Sequence, residues 1–199
     1  MRISDARYSR DRLRFDIALQ FIRNEARTHT IRAWTGLSDD RIRKLYRSYV
    51  MSADAAAVLR HRGKSPRQTA FFFRNPEVSF QAAQLASLLV LYGLLGGTAL
   101  GIEPRYRVGS LDSGALFCKA YEAYTELHTP AAISFEHAWF LLLALARGDE
   151  LGAARCTACG GVRLRDLLSR HRTECASCNA PGLAAPLTAE GSPGPCTGS

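Results

Sequence analysis

The first 30 residues of this 199-residue chain hold no apolar run of about 7 to 15 residues and are charged throughout, so no secretory signal is expected there. Its six cysteines are accordingly expected to be reduced thiols of a cytoplasmic protein. Charge is missing between Glu77 and Glu103, an interval longer than the roughly 20 residues that cross a bilayer. Gln81, Gln84 and Ser87 interrupt its front half, however, and Gly93, Gly96 and Gly97 its rear, leaving only Leu85 to Leu95 densely apolar. A buried core helix is expected, with no membrane association. No segment repeats. Gly63-Lys64-Ser65 lacks the earlier glycine of a phosphate loop, because Val58 stands at that position. No catalytic constellation competes either, and the chain is not expected to be an enzyme.

What is present begins with charge. The formal net charge is +8, but residues 1 to 76 hold 17 Lys/Arg against 7 Asp/Glu, whereas residues 77 to 199 hold 9 against 11. A basic front favours a polyanionic partner, nucleic acid or anionic lipid, through long-range attraction and counterion release. The alternative is a merely well-solvated surface.

Residues 11 to 28 carry Phe15, Ala18, Leu19, Ile22 and Ala26 at helical spacing, with arginines elsewhere around the wheel, which predicts a surface helix with one buried stripe. A short helix fits Thr30 to Thr35, Gly36 supplies a tight turn, and Ser38 N-caps a third helix with Asp39 and Asp40 in its first turn, running to about Tyr49. Ala53 to Arg60 adds a turn or two before Gly63, Ser65 and Pro66 break the pattern. Phe71, Phe72 and Phe73 precede Asn75-Pro76, a soft boundary. Further helices are expected at about 78–95, 111–128 and 131–147, with Pro130 in the first turn of the last. Cys118, Trp139, Phe140 and Leu141 to Leu143 read as core. Phe71 to Phe73 and the uncharged segment 78–102 offer more apolar surface than one small helical layer covers, so part of it is expected to bury against a partner; the alternative is that it fills the chain's own core. The tail from Asn179 is poor in charge and rich in Pro, Gly, Ala, Ser and Thr; it is expected to be disordered, which makes Cys196 a poor ligand.

Cys156-Thr-Ala-Cys159 and Cys175-Ala-Ser-Cys178 are two C-x2-C pairs separated by 15 residues, a strong zinc spacing. Each pair spans one edge of a tetrahedron, and the insert lets the second approach from the opposite side. Gly160, Gly161 and Asn179, which follow the pairs, tolerate the positive φ that turns amides toward thiolates. Haem attachment is excluded, since Gly160 and Asn179 stand where histidine is needed. An iron–sulfur cluster and two disulfides remain the weaker alternatives. Four thiolates leave no open coordination position, so one structural Zn(2+) per chain is expected. His171 in the insert reads as a surface residue.

His29 to Tyr49 reads as helix, glycine turn, helix, with Ile31, Trp34, Leu37, Ile42 and Leu45 placed to build a small core. Arg41, Arg43, Lys44 and Arg47 would project from the second helix as DNA contacts. Arg32 stands where such motifs want a small residue, and Asp39 and Asp40 would repel phosphates unless they face solvent or accept from cytosine. An ordinary basic hairpin is the alternative.

This order, a basic helix pair containing Thr35-Gly-Leu-Ser38 and Arg43-Lys-Leu-Tyr46, an apolar helical middle, then Cys156-x2-Cys159-Gly-Gly and Cys175-x2-Cys178, resembles the FlhC family, the C subunits of the bacterial flagellar master transcriptional activator. The likeness covers roughly residues 15 to 180. It implies that the four cysteines are zinc ligands, that the chain assembles with a smaller FlhD-like subunit into a hetero-oligomer, and that the complex binds double-stranded promoter DNA and recruits RNA polymerase. The tail is less basic than the family leads one to expect. The expected fold is mostly α-helical: a helix-turn-helix-like basic region over 1–76, a helical core and partner region over 77–152, a four-cysteine zinc module over 153–180, and a tail over 181–199. Rival functions are a zinc-stapled protein–protein adaptor without DNA binding and a small zinc enzyme, the latter with Glu174 as its only nearby acid.

Overall fold

A computed structural model describes residues 2–51, 58, 61, 63–97, 102–104, 110–169 and 175–179. The expected turn over 53–60 (save Val58), His171, Glu174, and the tail with Cys196 lie outside the described residues. The protein is mostly helical, and a cluster of four cysteines closes its described C-terminal part.

Helix α1 spans Arg2–Arg23, so it starts earlier and stops sooner than its hydrophobic spacing predicts. It buries Ile17, Ala18, Phe21 and Ile22. It stops because Glu25 takes a left-handed φ of 59°, and the amides of Glu25 and Ala26 return to the carbonyls of Ile22 (3.0 Å) and Phe21 (2.9 Å). That pairing satisfies the last carbonyls and folds Ala26 back into the core. Helix α2 (Thr28–Thr35) follows, then Gly36 at φ 67° with its amide on the Arg32 carbonyl, then helix α3 (Asp39–Met51). An L side chain at Gly36 would be strained there. The hairpin core is as expected: Ile31, Trp34, Leu37 and Ile42 are buried and Leu45 is partly so. The Tyr46 hydroxyl donates to the Ala26 carbonyl and locks α3 to the end of α1.

A 3-10 turn over Thr69–Phe73 leads into helix α4 (Pro76–Leu91), capped by Asn75, whose Oδ1 accepts from the Val78 amide at 2.8 Å. Helix α4 ends four residues before the expected limit, at Gly93 (φ 75°), while the Leu94 amide returns to the Leu89 carbonyl at 2.9 Å. Strands β1 (Leu95–Gly97) and β2 (Ile102–Pro104) pair antiparallel. Helix α5 (Leu111–Leu127) and helix α6 (Phe135–Arg147) are N-capped by Ser110 and Ser134. The first-turn placement of Pro130 is therefore corrected: Pro130 lies in the loop before α6, because Ser134, whose oxygen accepts from the His137 amide, is the better cap. Strands β3 (Leu151–Arg155) and β4 (Val162–Asp166) form an antiparallel hairpin that the sequence reading lacked, and helix α7 (Ala176–Asn179) completes the cysteine module against α4.

One hydrophobic cluster runs from Ile17 on α1 to Leu164 on β4. At its centre Trp34 packs on Phe117 (5.7 Å, stacked) and Trp139 (4.7 Å), and Phe21 packs on Phe135 (5.1 Å). Gly114 makes this approach possible: a Cβ there would stand 3.1 Å from Trp34 Cε3 and 3.3 Å from Ile17 Cγ2. The expected apolar surplus is mostly absorbed in this core. Among the described residues of these segments Phe72, Leu85, Ala86 and Leu89 are buried and Phe71 and Phe73 half-buried, while Leu91 faces solvent. No helix of the described residues is long and apolar enough to cross a membrane.

Candidate metal centre and basic helix surface

The β3–β4 register pairs Arg155 with Val162, which leaves Cys156 to Gly161 as the connecting turn. The turn is tied by its own backbone: the Cys156 amide donates to the Gly161 carbonyl at 2.8 Å and the Gly160 amide to the Cys156 carbonyl at 2.9 Å. Gly160 alone takes the expected positive φ, 71°; Asn179 instead closes α7 as a helical residue. On the other side Cys175 stands just before α7, and the Cys178 amide donates to the Cys175 carbonyl at 3.1 Å. Each C-x2-C pair thus bends inward on local hydrogen bonds.

The four sulfurs lie within 4.8 Å of one another, with Cys156 Sγ to Cys178 Sγ at 3.8 Å and Cys159 Sγ to Cys175 Sγ at 3.6 Å. An ion holding four sulfurs at about 2.3 Å in a tetrahedron sets each sulfur pair about 3.8 Å apart. The cross-pair distances fit that cage and are far too long for S–S bonds of about 2.05 Å. Cys156 and Cys175 are buried, while Cys159 and Cys178 are exposed. The Cys156 thiol is lowered to about 6, first by a hydrogen bond from the Cys159 amide and then by one from Ala158, while hydrogen bonding with the other thiols, Cys159 first, pushes Cys178 up to about 12. A cation in the cage would favour the thiolate form of its ligands. Four soft donors with no carboxylate among them are a site that could hold a metal ion of the thiophilic class.

The basic residues of α3 form a second feature. Ile42 and Tyr46 face the core, and Arg41, Arg43, Lys44 and Arg47 are all exposed on the opposite arc of the helix. Asp40 accepts from Arg43 Nη1 at 3.1 Å, and Asp39 lies 3.6 Å from Arg32 Nη1. Both acids are thereby drawn onto neighbouring guanidinium groups, and Arg32 extends outward instead of into the hairpin. Arg41, Lys44 and Arg47 make no ion pair among the described residues.

No protein-family model matches the chain, and no curated protein does.

Two buried polar residues that position these features were not picked out by the sequence reading. Glu136, on the first turn of α6, accepts from the Arg27 amide at 2.8 Å and from Thr30 Oγ1 at 3.0 Å, and so caps α2 from another helix. Arg27 itself offers α2 no side-chain cap. Gln81 Oε1 on α4 accepts from the Tyr124 hydroxyl and from the Ala132 amide (2.9 Å), tying the helix beneath the cysteine module to α5. Gln81 shows in the sequence only as a polar interruption of an apolar segment, and Glu136 carries no local signal, since an acid in a helix's first turn reads as ordinary dipole compensation. Cys118 is core, as expected, its thiol pushed up mainly by burial.

Proposed function

We propose that this chain is a DNA-binding, FlhC-like subunit of a heteromeric transcription activator of flagellar operons, with one structural Zn(2+) in the cage of Cys156, Cys159, Cys175 and Cys178. The observation that carries the DNA reading is the arc of α3: four cationic side chains on the solvent face of the second helix of a helix–turn–helix pair whose other face is locked in the core. Such a helix enters the major groove with its early residues at base edges. Arg41 and Lys44 supply donors there, Arg43 exchanges a surface ion pair worth about 0.2 to 1 kcal/mol for a phosphate or guanine, and Arg47 reaches the backbone. The zinc would hold the β3–β4 turn to α7 and close its own coordination sphere, a structural role without an open position for substrate. The FlhD-like subunit and RNA polymerase follow from the family resemblance.

Fluorescence anisotropy on a flagellar promoter duplex tests this reading, with the chain alone and co-expressed with its FlhD-like neighbour. With roughly 6 to 10 phosphates neutralised, affinity should fall by about 10³ to 10⁵ between about 50 and 200 mM salt. Arg43→Ala with Lys44→Ala should weaken binding and flatten that slope. An unchanged affinity and slope in a folded complex would remove α3 from the interface.

A further inference from the structure

A cleft of about 820 Å³ lies beside the N-terminal end of α2, lined by His29, Lys64, Arg67, Gln68, Phe71 and His137 among others, with no carboxylate among the described residues of its wall. Lys64 and Arg67 are exposed and make no ion pair among the described residues. Acids stand in the neighbouring pockets: Glu25, bridged to His61 at 2.8 Å, Glu136, which accepts from the Arg27 amide and Thr30, and Glu150, which lines a pocket with Arg67. The segment that bears the two cations is held from below, because the Arg27 guanidinium donates to the carbonyls of Gly63 (2.8 Å) and Lys64. Two cations on a segment held by Arg27 therefore border an open cleft whose described lining carries no acid.

This cleft is joined to α3 by surface. His29, Arg32, Ala33 and Gly36 are all exposed and fall on one edge of α2, and Arg32 reaches Asp39 at the start of α3. Eight residues of helix span about 12 Å, on the order of three or four base-pair steps at about 3.4 Å each. In helix–turn–helix docking the first helix crosses the sugar–phosphate backbone while the second sits in the groove. We infer that Lys64 and Arg67 contact the phosphate backbone of duplex DNA, flanking the stretch read by α3. The inference rests on the DNA-binding reading of α3. A free phosphate fits the site less well: the cations are exposed, no buried donor points into the cleft among the described residues, and its volume far exceeds one small anion.

The test is the salt dependence of binding, on the full chain alone and with the FlhD-like subunit proposed above, against a promoter duplex and a mixed-sequence duplex. Lys64→Ala with Arg67→Ala should lower the slope of log affinity against log salt by about 2. The loss should be equal on both duplexes, leaving the preference between them intact. Both side chains are exposed, and thermal melting checks that the fold is kept. A slope unchanged by this pair but reduced by Arg43→Ala with Lys44→Ala overturns the cleft contact and leaves the α3 reading standing. A slope unchanged by either pair overturns both. Inorganic phosphate supplies the other arm: tight saturable binding that Lys64→Ala with Arg67→Ala abolishes and duplex fails to displace assigns the cleft to a free anion and overturns the backbone contact.

Discussion

Glu136 is the residue whose replacement most directly tests how the hairpin is held. It is 4% exposed, and its two oxygens take separate donors, the Arg27 amide at 2.8 Å and the fully buried Thr30 hydroxyl at 3.0 Å. Glu136→Gln keeps the shape and one carbonyl acceptor but loses the negative charge at the start of α2, an interaction worth about 0.3 to 2 kcal/mol. Glu136→Ala removes both acceptors and strands two donors, at about 1 to 3 kcal/mol each. The predicted order is therefore Gln the milder, and Ala costing about 2 to 6 kcal/mol, read from urea midpoints at constant slope. Thr30→Val supplies the cycle: on the Glu136→Ala background it should cost less than alone, because its lost partner is already gone. An Ala variant within about 0.5 kcal/mol of the parent, the range of an ordinary surface change, would refute the view that α6 caps α2.

Three other outcomes are expected. Cys156→Ser and Cys178→Ser should each lose the single zinc, and since structural zinc contributes on the order of 10 to 16 kcal/mol in finger-like modules, the module should lose its amide protection; zinc retained in both by elemental analysis, or iron in the parent, defeats the assignment. His137 is lowered to about 4 by burial and by the charges of Arg74 and Arg27. The unfolded chain therefore takes up this proton first as pH falls below about 6.5, so stability should drop between there and about pH 4; His137→Phe should flatten that decline, and an identical pH profile refutes it. Gly114→Val should cost about 1 to 3 kcal/mol by pushing Trp34 and Ile17 aside, and neutrality in a denaturant titration would mean that α1, α2 and α5 are less closely packed than their contacts indicate.

The features legible in the sequence are those whose signal is local. Two residues between cysteines constrain the sulfurs however the rest of the chain runs, and the helix–glycine–helix segment shows its turn in Gly36. The helix ends were misjudged for a physical reason that recurs. Ala26 and Leu94 lie beyond α1 and α4, yet each is buried by the chain folding back over the helix terminus, so the apolar spacing persists past the last helical residue. At α1 the reversal falls on Glu25 and not on glycine, so no residue announces it. The β3–β4 hairpin was missed because Leu151-Gly-Ala-Ala-Arg155 has no β-branched residue; its pairing is imposed by the turn that carries Cys156 and Cys159. Glu136 shows the limit most clearly. Its partners stand 109 and 106 positions away, and nothing within a turn of Glu136 distinguishes an acid serving its own helix from one serving another. The α3 arc was visible as periodic charge, whereas Lys64 and Arg67 become a surface with α2 only once Arg27 holds the backbone at Gly63 and Lys64.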